Sequence, residues 1–188
     1  MKHIIQNEFN EHINASNSLH NLTDNVANAA QICINCLNSG GKILIFGNGG
    51  SASDAQHIAA ELVGRYRTDR KGLSAIALST DTSILTSIGN DFGFKHIFDR
   101  QVEALANEGD VAIGISTSGK SENVIIALKK ASELNCNTIG FSGQNGGEMN
   151  KICDLNLVVP SKDTPRIQEM HIVIGHTICH LIDQEFKD

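Results

Sequence analysis

KILIFGNGGSASDAQHIAAEL, residues 42–62, decides the fold. A short apolar run, KILIF, passes through three glycines and two serines into a helical pattern that carries His57 and, four residues on, Glu61. An apolar run of that length bounded by turn residues suits a strand buried on both faces. The Ser39-Gly40-Gly41 stop before it closes a preceding helical pattern. Strand, glycine loop and helix make the opening unit of an α/β fold, in which ligands gather where strand ends meet helix starts.

Comparable apolar runs recur at 75–78, 111–115, 138–141 and 155–159, separated by segments that can be helical. The alternation predicts a three-layer α-β-α sandwich around a parallel sheet of about five strands. Two helices over about 3–38 come first: Ile4, Ile5, Phe9 and Ile13, then Leu22, Val26, Ala29, Cys33, Cys36 and Leu37, recur at helical spacing. A long helix over 165–186 comes last, with Thr164 as its expected cap, Pro165 in its first turn, and a stripe of Ile167, Met170, Val173, Ile174, Ile178, Leu181 and Ile182. These stripes are more apolar than a free surface needs, which predicts contact between subunits. At 188 residues, 40% hydrophobic and 19% charged, the chain reads as one globular domain, 1–188, with the N-terminal helices included.

A formal charge of -6 argues against a broad nucleic-acid footprint and leaves room for a local phosphate pocket. Five cysteines, odd in number and scattered among apolar neighbours, suit a reducing compartment rather than a disulfide framework. Cys33 and Cys36 form C-x-x-C inside a helical pattern, without the strand-to-helix start of a redox site, so they read as core residues. No stretch approaches a membrane span, and the N-terminus has no apolar signal segment; a cytoplasmic protein with no membrane partner is expected.

Two loops carry the chemistry. The first, GNGGSAS, permits close backbone approach, yet Ala52 stands where a dinucleotide motif needs its third glycine, and the G-K-[ST] of a Walker loop is absent. No nucleotide cofactor is expected. Ser53 with Gln56 fits a capping box. The second, STSGKS at 116–121, brings Ser116, Thr117, Ser118 and Ser121 to a helix start, where N–H groups and the dipole favour an anion; a serine-rich turn with a single cap is the alternative. His57 and Glu61 share a helical face and can reach one substrate or one metal. Gln168 and His176, eight residues apart, sit about 80° around the last helix from each other; His171 lies about 140° from His176. A lone histidine beside an apolar stripe is ordinarily structural. Asn90 and Asp91 lie in SIGNDFG, which reads as a turn or cap, with contact to a sugar hydroxyl as the alternative.

GNGGSASDAQHIAAELVGRY, STDTSILTSIGNDFG, GISTSGKSENV and TPRIQEMHIVIGH, in this order, resemble the sugar isomerase (SIS) domain family and, within it, the phosphoheptose isomerases. The resemblance implies interconversion of D-sedoheptulose 7-phosphate and D-glycero-D-manno-heptose 7-phosphate through an enediol. It implies substrate contacts by Asn48, Gly49, Gly50, Ser51, Asn90, Asp91 and Gln168, with Ser116, Thr117, Ser118 and Ser121 as phosphate cradle. Glu61 is implied as general base, also touching substrate, and His176 as general acid. A zinc site of His57, Glu61, Gln168 and His176, and a homotetramer, are implied as well. The chain departs at Pro165, where some isomerases carry aspartate. The competing readings are a non-catalytic SIS protein that associates with a replication initiator and a sugar-sensing regulatory module. Initiator-associating members lack the helix glutamate and later histidine that are present here as Glu61 and His176.

Overall fold

The computed structural model describes residues 1–187. Helices α1 (Lys2–Ser18) and α2 (Thr23–Asn38) precede β1 (Ile43–Gly47), as the periodicity predicts, joined by one 3-10 turn at Leu19–Leu22. The chain continues through α3 (Gly50–Val63), β2 (Ala75–Ala77), α4 (Thr82–Asp91), α5 (Asp99–Leu105), β3 (Val111–Ser116) and α6 (Glu122–Glu133). It closes with β4 (Asn137–Gly143), α7 (Met149–Ile152), β5 (Leu155–Val159) and α8 (Thr164–Glu185). The five strands form one parallel sheet in the order β2-β1-β3-β4-β5, with Ile45 opposite Ala77 on one side and Ile113 on the other.

The pleat divides the core. Alternate residues of a strand point to opposite faces. Ile43 and Ile45 therefore join Cys33, Ile58 and Ile174 under α2, α3 and α8. Leu44 and Phe46 join Phe98, Val102 and Leu128 under α5 and α6. All four apolar residues of β1 are fully buried, so no polar alternation marks the strand. Truncating one of them, Phe46→Ala, costs about 3–5 kcal/mol.

The sheet builds outward in both directions from β1: β2 lies to one side and β3 to β5 to the other. The loops that leave the ends of β1 and β3 consequently stand side by side over a crevice, the place where such sheets bind ligands.

Three local expectations are corrected. Helix α3 begins at Gly50 with Gly49, at φ +56°, flanking it, so Ser53 is already inside the first turn, exposed, and caps nothing. The glycine turn lets the helix start three residues before the capping-box position. Thr164 is the first helical residue of α8 rather than its cap; Asp163 flanks it and Pro165 occupies the first turn. Asn90 and Asp91 end α4 instead of forming the turn, which falls at Phe92 and at Gly93, where φ is +90°.

All five cysteines are free. Burial pushes the Cys36 thiol up to about 11 and that of Cys179 to about 12, and raises Cys33 further, so none is a ready thiolate. No described helix is long and apolar enough to cross a membrane.

Candidate active site

The serine loop leaves the buried end of β3. Ser116 Oγ and Ser121 Oγ are 2.8 Å apart, and Ser118 Oγ accepts from the Lys120 amide at 3.2 Å. Ser121 flanks α6 without lending its side chain to the helix, so the turn-with-one-cap alternative does not describe it. The Ser121 side chain bonds none of the first N–H groups of α6, and such free groups at a helix start are where anions are ordinarily held. Gly119 takes φ +64°, and a Cβ there would lie 2.2 Å from the Gly146 carbonyl oxygen. Its own carbonyl accepts from the Glu148 amide at 2.9 Å, which pins the loop to the segment after β4.

The first loop is tied to the second by a residue that the sequence reading missed. Asn48 Nδ2 donates to Asn123 Oδ1 at 2.8 Å, and Asn123 Nδ2 donates back to Asn48 Oδ1 at 2.9 Å. Asn123 Oδ1 also accepts from the Val124 amide at 3.0 Å, and the residue is buried. The available signal was an asparagine in the first turn of a helix, a type that competes with helical hydrogen bonding unless it has a partner. Gly49 and Gly50 are exposed and Ser51 is buried. Gln168 packs its amide on Gly50, where a Cβ would lie 2.6 Å from Gln168 Nε2.

Helices α3 and α8 lie side by side. A Cβ on Gly175 would fall 2.6 Å from Ile58 Cδ1, so the missing side chain lets the helices close together and sets the neighbouring His57 and His176 against each other. Their rings meet edge to face at 4.8 Å. His57 Nε2 lies 3.2 Å from Glu61 Oε1 and 3.3 Å from His176 Nε2. Ligand atoms of the three residues all lie within 4.8 Å of one another. A single ring proton on His57 Nε2 cannot be aimed at both neighbours, whereas one divalent cation satisfies all three lone pairs; two imidazoles and a carboxylate are such a cation's usual donors. Burial and then the nearby His57 hold the His176 imidazole below its ordinary value. Asp54, one turn before His57, keeps an unpartnered buried oxygen, and burial pushes its carboxyl up to about 6.

The structure thus joins the two loops, sets Gln168 against the first, and assembles His57, Glu61 and His176 as a separate trio. Gln168, the fourth expected ligand, is turned to Gly50, about 12 Å of helical rise from His176. Glu61 is about 16 Å along α3 from Gly50. Asn90 and Asp91 are exposed at the end of α4, where the Asn90 amide donates to the Asp91 carboxylate at 2.8 Å.

The SIS domain family model matches residues 8–143. Phosphoheptose isomerase of Campylobacter jejuni is 59% identical over 186 residues, 99% of this chain and 100% of that protein. The Aliarcobacter butzleri protein of the same name is 59% identical over the full length of both. The structure of phosphoheptose isomerase from Neisseria gonorrhoeae superposes with a TM-score of 0.92 at 45% identity, covering 97% of this chain and 98% of that one. That from Francisella tularensis superposes at 0.93 with 39% identity, covering 96% of each. Whole-chain identity at this level, carried on the same five-stranded sheet, places this chain in the SIS domain family and, within it, among the phosphoheptose isomerases.

Proposed function

We propose that this protein converts D-sedoheptulose 7-phosphate to D-glycero-D-manno-heptose 7-phosphate through an enediol. The observation that carries the reading is the convergence of Glu61 and His176 on one point, on a chain whose relatives are named for this sugar phosphate. Ketose-aldose isomerisation moves a proton between C1 and C2 while the two oxygens exchange roles. In this reading the Glu61 carboxylate takes the C1 proton and returns it to C2, and His176 handles the oxygen protons and ring opening. An imidazole held below its ordinary value is neutral near pH 7 and can either accept or donate at an oxygen.

Ser116, Thr117, Ser118 and Ser121 hold the phosphate at the start of α6, and this remote binding energy orients the reacting carbons. Asn48, Gly49, Gly50, Ser51 and Gln168 line the sugar; Asn90 and Asp91 reach its hydroxyls from the end of α4.

The trio of His57, Glu61 and His176 is assigned to zinc. Two nitrogens bound tetrahedrally to zinc stand about 3.3 Å apart, and the two imidazole nitrogens here are 3.3 Å apart. When bound, zinc supplies Lewis-acid polarisation of the substrate oxygens. Gln168, whose amide rests on Gly50 here, is assigned as the fourth ligand.

The functional unit is assigned as a homotetramer in the cytoplasm, acting on a phosphorylated sugar without nucleotide, nucleic acid or membrane. One feature supports association between subunits. Ile4, Ile5, Phe9 and Ile13 of α1 are exposed in the single chain, and Val173 and Leu181 line an apolar groove of about 340 Å³ between α2 and α8. The replication-initiator reading has no comparable support.

The deciding assay incubates the protein with sedoheptulose 7-phosphate, with zinc added and with zinc chelated, and follows heptose 7-phosphate. Product forms with zinc; no product in either arm rejects the assignment.

A further inference from the structure

Directly after α3, between Val63 and Ala75, the chain runs without regular structure as a strap across α3 and α8, and Tyr66 lies on it three residues past the helix. The Tyr66 ring stacks on the His176 imidazole, with centroids 5.3 Å apart and planes 27° from parallel. It also meets His180 edge-on at 6.3 Å. His176 is therefore bounded by the face of Tyr66 and by His57, whose Nε2 is its one side-chain hydrogen-bonding partner among the described residues. The strap is anchored. Asp183 Oδ2 accepts from the amides of Arg67 and Thr68 at 2.7 and 2.9 Å, and Arg70 Nε donates to Asp183 Oδ1 at 2.7 Å. The other guanidinium nitrogens donate to the carbonyls of Leu62, Lys71 and Glu61 at 2.9, 3.1 and 3.0 Å. Both charged side chains are wholly buried. One guanidinium thus links the backbone of Glu61 to the helix that bears His176.

We infer that Tyr66 is a positioning residue for the isomerisation: its ring face fixes the plane of His176 so that Nε2 stays aimed at His57 and Glu61, and the Arg70–Asp183 pair holds Tyr66 there. A histidine with one hydrogen-bonding partner is free to turn about its side-chain bonds, and a flat aromatic wall removes that freedom. Outer partners that orient ligand histidines matter by about 10–100-fold in metal affinity or activity. The inference rests on the reading of Glu61 and His176 given above.

The chain has one tyrosine and no tryptophan, so tyrosine emission reports this ring alone. Cobalt(II) titrated into metal-free wild type is expected to quench that emission at one equivalent, and His176→Ala to abolish the quenching. Tyr66→Phe, which keeps the ring face, should retain kcat and cobalt affinity within about twofold. Tyr66→Leu should lose kcat and weaken cobalt, read from its visible absorption, each by about 10–100-fold with KM nearly unchanged. Wild-type kcat and cobalt affinity in Tyr66→Leu overturn the inference, as does a Tyr66→Phe enzyme as impaired as Tyr66→Leu, or tyrosine emission indifferent to cobalt. A wild type that binds cobalt in this way but does not isomerise the sugar phosphate rejects the assigned reaction and leaves the positioning intact.

Discussion

Asn48 and Asn123, 75 residues apart in the chain, exchange two amide hydrogen bonds across the ends of β1 and β3. The pair fixes the distance between the glycine loop and the serine loop, and hence between the sugar and its phosphate in the proposed site. Asn123→Ala leaves a partly buried amide unpaired, at a cost of about 1–3 kcal/mol. The expected result is a lower urea midpoint and a KM for the sugar phosphate raised about tenfold, corresponding to roughly 1.4 kcal/mol. Steady-state kinetics with a wild-type KM would show that the loops keep their spacing without this pair.

Glu61→Gln removes the proposed base while keeping its shape. Turnover should fall by about 10²–10⁴-fold, and calorimetry should still detect binding of the sugar phosphate, because the serine loop is untouched. Undiminished turnover takes Glu61 out of the proton transfer.

Metal binding should be visible in stability. Zinc at about 100 times its dissociation constant stabilises the folded state by roughly 2.7 kcal/mol. Melting curves of the wild type should move upward with zinc and return on chelation, and those of His57→Ala should move far less. A wild-type melting temperature indifferent to zinc is the result that rejects the trio as a metal site.

Stability in acid should depend on His171. Its Nε2 donates to the Ser142 carbonyl at 2.9 Å, and its buried Nδ1 has no partner, so protonation would place an uncompensated charge in the core. Burial holds the imidazole down to about 4, against an ordinary value of 6.5. The unfolded chain therefore binds this proton first as pH falls, and stability is lost between about pH 6.5 and 4, by roughly 3 kcal/mol. Urea midpoints measured across that range should fall in the wild type and run flatter in His171→Gln. Equal slopes would assign the acid loss to other groups.

Asp183 answers to pH with the same sign but lower in the scale. Burial by itself would raise its carboxyl, but the amides of Thr68 and Arg67 and the Arg70 guanidinium outweigh burial and hold it below the usual range. Its stabilisation is complete above the unfolded carboxylate value of about 3.9 and is lost as pH falls toward the lowered native value. Breaking such a buried pair, as in Asp183→Ala, costs about 3–5 kcal/mol at pH 7. The gap to wild type should narrow below about pH 3.9; a constant gap would attribute the loss to packing alone.

Much of the fold was legible because parallel strands under helices write themselves as short apolar runs: β1 and β3 are buried throughout and β4 nearly so, the partly buried edge strands β2 and β5 keep the same apolar character, and all five appear where the runs predict them. Helix starts were less legible. Ser53 and Thr164 have the chemistry of caps, but Gly49 and Asp163 flank their helices instead, since where a helix begins depends on the turn that enters it. Asn123, Tyr66, Arg70 and Asp183 stayed hidden for a related reason: each acquires its role from a partner distant in sequence.

The sequence by itself determined the alternation of elements, the two polar loops, and the shared face of His57 and Glu61, all properties of neighbours along the chain. Only the tertiary structure decided that Gly175 lets α8 close on Ile58, so that His176 arrives 3.3 Å from His57 while Gln168 stops at Gly50. The physical reason is that helical periodicity gives the direction of a side chain about its own axis, whereas meeting another helix depends on which residues are small enough to let the axes approach.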